Sequence, residues 1–138
     1  MQFKTSKYFN SMTHKEIELP FGTYYFCNNI VISELNEGVH FDWDKCSVTI
    51  NTILEFYGKD AKVGFISNRI NNYSVDPNNW VRAHTEYNFM VASAIITYQN
   101  SSYKVATLEK YFSQKKLKRC LSLEEAICWL QKFKKLKV

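Results

Sequence analysis

The sequence predicts an α/β fold: a mixed four- to five-stranded sheet opened by an N-terminal antiparallel hairpin and continued by alternating helices and strands. Three observations predict it. Two β-rich segments, residues 23–27 and 30–35, flank the turn signal Asn28-Asn29. From residue 42 onward, helix-spaced segments alternate with short apolar runs, which implies right-handed crossovers and a parallel section of sheet. Glycine and proline number only four and two among 138 residues, which argues against a turn-rich all-β scaffold.

The elements follow in order. Residues 1–13 are polar with scattered aromatics (Phe3, Tyr8, Phe9) and are expected as a flexible lead-in. Residues 16–19 form a short strand, and Pro20-Phe21-Gly22 turns into the hairpin. Asp42 caps a helix whose inward positions are Trp43, Cys46, Ile50, Ile53, Leu54 and Tyr57, with Gly58 as its stop. Residues 63–66 make a strand. Asp76-Pro77 then starts a second helix with Trp80, Val81, His84 and Tyr87 on one face. The apolar run 89–98 reads as a strand buried on both faces. A helix from Asn100 is expected to turn Val105, Leu108, Tyr111 and Phe112 inward. Residues 117–120 read as an edge strand. Ser122 with Glu125 forms a capping box ahead of the last helix, whose apolar face is Leu123, Ala126, Ile127, Leu130 and Phe133. One domain spans 14–134, with a basic tail at 135–138.

Composition narrows the function classes. Aromatics reach 16% and apolar residues 46%, so the chain is globular. The net charge is +5, and nine of the eighteen Lys and Arg lie beyond residue 109. They are spread over two elements, which reads as solvated helix face and tail, and no nucleic-acid partner is expected. No apolar run approaches the ~20 residues that span a bilayer, and no leader segment is evident, so the expected location is cytoplasmic. Cys27, Cys46, Cys120 and Cys128 lack CxxC spacing and read as small buried hydrophobes in a reducing compartment, with Cys46 and Cys128 on apolar helix faces. Buried thiols are poor nucleophiles, which disfavours a Cys-His pair. Glycine-rich phosphate loops and the G-x-S-x-G elbow are absent. His40 near Asp42 and Asp44 has the residue types of a metal site but also those of an ordinary helix entrance; His84 reads as a packed helix residue, and His14 suggests nothing. Tyr8, Tyr24, Tyr25 and Tyr57 read chiefly as packing residues. Neither cofactor, metal nor catalytic residue is expected, and the protein is read as a non-enzyme.

The stretch ISNRINNYSVDPNNW, residues 66–80, carries the remaining chemistry. It is polar and leads from a strand end into a helix start, the usual position of functional loops in α/β folds. Ser67, Asn68, Arg69, Asn71, Tyr73 and Asp76 are the candidate binding residues. Arg69 would grip a carboxylate or phosphate and Tyr73 would supply contact area. On this reading Arg69→Ala weakens partner capture and leaves thermal stability nearly unchanged.

The ending LKRCLSLEEAICWL, residues 117–130, and the segment SNRINNYS, residues 67–74, resemble corresponding parts of the SpoIIAA-like family, related to STAS domains of anti-sigma-factor antagonists, and in particular small bacterial STAS-type proteins. The resemblance covers roughly residues 16–133. It implies a regulatory protein-interaction domain, docking through the 67–76 loop and the following helix. It also implies a phosphorylatable Ser or Thr in the loop before the second helix. Ser74 is the candidate, with Ser67 second, although both lack the Asp-Ser-Ser/Thr-Gly setting usual in that family. The alternative is a small-molecule or lipid-binding module with a pocket between sheet and helices. Candidate partners are therefore another protein, a small apolar ligand, or a second copy in a homodimer.

Overall fold

The protein is described by a computed structural model covering residues 1–113 and 116–136, with the side chains of residues 100–102 excepted. Its chain opens with a 3-10 turn at Phe3–Thr5 and a short helix α1 at Tyr8–Ser11. There follow β1 (His14–Leu19), β2 (Gly22–Cys27), β3 (Ile30–Leu35), β4 (His40–Phe41), α2 (Trp43–Tyr57), β5 (Val63–Asn68), β6 (Ser74–Val75), α3 (Asn78–Glu86), β7 (Met90–Ile96), α4 (Asn100–Phe112), β8 (Lys116–Cys120) and α5 (Leu123–Leu130).

The six long strands form one sheet in the order β1-β2-β3-β5-β7-β8. It is one strand wider than the upper expectation because the short segments before residue 20 and after residue 115 both join it. The β1-β2-β3 portion is antiparallel, and β3, β5, β7 and β8 run parallel. The expected edge strand near residue 117 is the sheet's outer strand β8. Two-residue strands β4 and β6 pair separately in parallel, a feature too short to leave a periodic signal in the sequence.

Side-chain alternation splits the sheet between two cores. Tyr24, Phe26, Val31, Leu35 and Val63 meet Cys46, Ile50 and Ile53 of α2 and Ala83 of α3. Tyr25, Ile30, Ile32, Ile66, Ala94 and Ile96 face Leu123, Ala126, Ile127 and Leu130 of α5. The layers are thus helix, sheet, helix, and the interior strands are buried on both faces, as the run through β7 predicts.

Local chemistry fixes the ends. Asp42 accepts from Lys45 N at 3.1 Å and begins α2; Gly58, at φ 97°, closes it. Asp76 accepts from Asn78 N at 3.0 Å as α3 begins. Ser122 accepts from Glu125 N at 3.1 Å, while Glu125 reaches back to Leu121 N at 2.9 Å, completing the expected box one residue further out.

Three sequence expectations change. Residues 1–13 are ordered onto the sheet: Phe3 is fully buried, its ring in contact with those of Phe9, His14 and Tyr25. Helix α4 is turned the other way. Ala106 and Glu109 are buried, while Val105, Leu108 and Tyr111 are exposed, Tyr111 at 84%; of the four residues expected inward, only Phe112 packs against the core. The buried carboxylate of Glu109 dictates this, through the ion pair described below. Finally, Cys128 is exposed because α5 turns Ile127 inward beside it.

Candidate functional site

The carboxyl ends of β3, β5 and β7 open onto the loop 69–77, and the loop's polar residues divide into an inner and an outer set. Arg69 belongs to the inner set. Its guanidinium forks onto Glu109, Nη1 to Oε2 at 2.5 Å and Nη2 to Oε1 at 2.7 Å, and its Nε donates to Ser67 Oγ at 3.1 Å. Trp80 Nε1 donates to the same carboxylate at 2.9 Å. The Ser67 hydroxyl meets Tyr73 OH at 3.0 Å, and the Tyr73 ring lies 5.6 Å from the guanidinium carbon. Burial opposes the charged guanidinium, but Tyr73 and Glu109 outweigh it and hold Arg69 above its ordinary value. Arg69 is only 8% exposed and Glu109 is fully buried. The charge expected to meet a partner is therefore committed to tying the loop to α4.

A second inner network holds the amino terminus. Glu34 accepts from Phe3 N and from Asn68 Nδ2, both at 2.8 Å. The Asn68 amide also donates to Met1 O at 2.9 Å and accepts from Tyr98 OH at 2.7 Å. Desolvation raises the Glu34 carboxyl above its usual range despite these donors. Asn68 is fully buried, so it too lies beneath the surface.

The outer set forms a ledge. Parallel pairing of β4 with β6 sets His40 beside Ser74, and His40 Nδ1 lies 2.6 Å from Ser74 Oγ. The loop leading there is pinned at successive residues. Asn71 Nδ2 donates to Leu35 O at 3.0 Å, Asn72 N to Glu37 Oε2 at 2.7 Å, and Gly38 N to Asn72 O at 2.8 Å. Ser74 N donates to Val39 O at 2.9 Å and Asp76 N to Phe41 O at 3.2 Å. Asn79 Nδ2 fastens the start of α3 to Phe41 O at 2.8 Å. Glu37, His40, Asn72, Ser74 and Asn78 remain exposed on this frame. Of the expected binding residues, Ser67, Asn68 and Arg69 are inside, Asn71, Tyr73 and Asp76 are half-buried, and Ser74 alone is exposed.

The other candidates have structural settings. Asp42 caps α2, and the side-chain hydrogen bond of His40 runs to Ser74. Among the described residues no group of three or more His, Cys, Asp and Glu side chains is arranged to hold a metal ion. His84 stacks on Trp80 with ring centroids 6.1 Å apart, and Ser113 Oγ lies 3.4 Å from its Nε2. His14 Nδ1 lies 2.8 Å from Met12 O, and its ring contacts that of Phe3. Burial pushes the Cys27 and Cys46 thiols up to about 12 and Cys120 to about 11, far from nucleophilic thiolates at neutral pH.

A cavity of about 60 Å³ does lie between the sheet and α2, α3 and α4, lined mostly by apolar side chains with Arg69 and Glu109 among them. A well-studied engineered cavity that binds benzene measures about 150 Å³, so this one is too small for a lipid chain. No described helix is long and apolar enough to cross a membrane.

The residues that sequence reasoning missed are Glu109, Trp80 as a hydrogen-bond donor, and His40 as the neighbour of Ser74. The available signal was the arginine itself: an Arg just past a buried strand needs an acidic partner, and Glu109 is the one acidic residue of the segment 100–112.

A helix–sheet–helix sandwich with an antiparallel opening and parallel continuation defines a SpoIIAA-like α/β domain. Among solved structures the chain is similar to an uncharacterized protein from the DUF3478 family with a SpoIIAA-like fold, from Shewanella loihica PV-4. The match covers 86% of this chain and 93% of that one, with a TM-score of 0.53 and 10% sequence identity, a likeness of fold. No family model matches the sequence, and no curated protein matches it.

Proposed function

We propose that this protein is a non-enzymatic regulatory module that captures a protein partner on the β4–β6 ledge and the start of α3. The observation that supports the reading is the ledge itself: a row of exposed polar groups on a backbone pinned by main-chain hydrogen bonds. A surface already fixed in one shape loses little conformational entropy on docking, which favours binding over flexible capture. Arg69 acts from below, holding the loop against α4, and does not touch the partner.

Ser74 is the switch in this reading. It is exposed, and its hydroxyl has a side-chain neighbour, His40. Phosphorylation there adds about −1.5 to −2 charges at pH 7, two residues from Asp76, and alters the docking surface without disturbing the core. Three buried free thiols are consistent with work in a reducing compartment such as the cytoplasm.

The test compares capture from native-cell extract by the wild type, Ser74→Asp and Asn72→Asp. The expected result is one partner retained by the wild type and reduced about tenfold or more by Ser74→Asp, with melting temperatures within a few degrees of one another. Equal capture by all three proteins contradicts the reading.

A further inference from the structure

A second surface lies at the end of the sheet opposite the ledge. There the amino ends of β5, β7 and β8 and the segment after α5 border an open groove of about 1130 Å³. Lys62, Lys116, Lys132, Lys134 and Lys135 line it, with Asp60 as the one acid of the lining. In sequence these lysines are spread over separate elements, which argues against a nucleic-acid surface. The parallel topology gathers them around one concavity: Lys62 directly precedes β5, Lys116 begins β8, and the other three follow α5.

The lysines are anchored there without being neutralised. Lys62 Nζ donates to Asn88 O at 2.6 Å, which ties the approach to β5 to the approach to β7. Beyond α5 the chain keeps turning, with Lys132 N donating to Trp129 O at 3.3 Å and Phe133 N to Leu130 O at 3.0 Å. The Phe133 ring packs edge-on against Trp129, and Leu136 is buried in the core. Lys132, Lys134 and Lys135 therefore belong to a segment fastened on both sides. Among the described residues, none of the five lysines forms an ion pair. Like charges gathered without carboxylates repel one another in the free protein, and a bound polyanion relieves that repulsion.

We infer that this groove binds single-stranded nucleic acid through its phosphates, without reading sequence. Its volume exceeds the about 300–1,000 Å³ of small-ligand sites, so it suits a length of polymer. Every cation of the lining is a lysine, a point charge that suits phosphate, whereas planar carboxylates are matched by the arginine fork. A duplex is read by elements that protrude into its grooves; a concave lining admits a flexible strand instead. Met90, Val91 and the half-buried Phe133 add apolar surface against which bases can lie.

Fluorescence anisotropy on the full chain, with a fluorescein-labelled oligo-dT of about 16 nucleotides, tests this. The expected result is saturable binding whose log affinity falls with log salt at a slope of about −3, from about four to five phosphates at about 0.7 each. Lys132→Gln combined with Lys134→Gln is expected to weaken binding about tenfold and to bring the slope about 1 to 1.5 closer to zero. Lys4→Gln combined with Lys7→Gln removes the same charge from exposed positions on the amino-terminal segment, and is expected to bind within about twofold of the wild type. All four positions are exposed, so both double variants are expected to melt within a few degrees of the wild type. Absence of saturable binding overturns the proposal, as does an equal loss in the two double variants, which would assign binding to net charge alone. Displacement of the probe by poly-glutamate as effective as by unlabelled oligo-dT overturns it in favour of an acidic protein segment. Tighter binding of the matching duplex rejects the single-stranded class.

Discussion

At the scale of single residues, the buried ion pair between Arg69 and Glu109 carries the clearest energetic consequence. Neither side chain has water to fall back on, so removing one partner strands the other. Arg69→Ala is therefore expected to destabilise the fold by about 3–5 kcal/mol in urea denaturation, rather than leave stability nearly unchanged. Replacing both partners, Arg69→Met with Glu109→Leu, is expected to recover most of that loss. A double variant as unstable as the single would show that the pair acts through something other than charge. Glu34 gives a pH signature. Its folded carboxyl lies above the ordinary value of 4.5 through desolvation, so the folded state binds more protons than the unfolded state just above that pH. Stability from this group is present below about pH 4.5 and is lost as pH rises through the raised folded value. Urea denaturation of the wild type and Glu34→Gln at pH 4.5 and 7 is expected to show a smaller decline for the variant; equal declines contradict the assignment.

At the scale of elements, the amino-terminal segment and α4 show where pattern reading reaches its limit. The long strands and α2 were legible because their apolar residues repeat with one period over a full element, as Cys46, Ile50 and Ile53 do. The first thirteen residues have no such period: the buried Phe3 ring anchors them, with Tyr8, Phe9 and Met12 packed beside it. Phe3→Ala is expected to cost about 3–5 kcal/mol, as for a buried aromatic, measured by chemical denaturation. A loss below about 1 kcal/mol would mean that the segment is not part of the core. Helix α4 misled for the opposite reason. Val105, Leu108 and Tyr111 make a plausible apolar stripe, and hydropathy cannot anticipate that a carboxylate on the other face is drawn inward by an arginine forty residues earlier.

At the scale of the whole molecule, topology turned one polar loop into two surfaces. Residues 66–80 were legible as a strand end entering a helix, and the structure places them there. Which of their side chains face outward was not legible, because that depends on β4 and β6, two residues each, and on Glu109. On the proposed reading the docking residues are the exposed His40, Asn72 and Ser74 rather than the buried Arg69 and its neighbours. The most direct test of that claim is site-specific photo-crosslinking in native-cell extract, with the reactive residue placed at Asn72 on the ledge or at Glu124 on the opposite helical layer. The account predicts one discrete cross-linked partner from position 72, lost on Ser74→Asp, and none from position 124. The same product from both positions, or from position 124 alone, would contradict it.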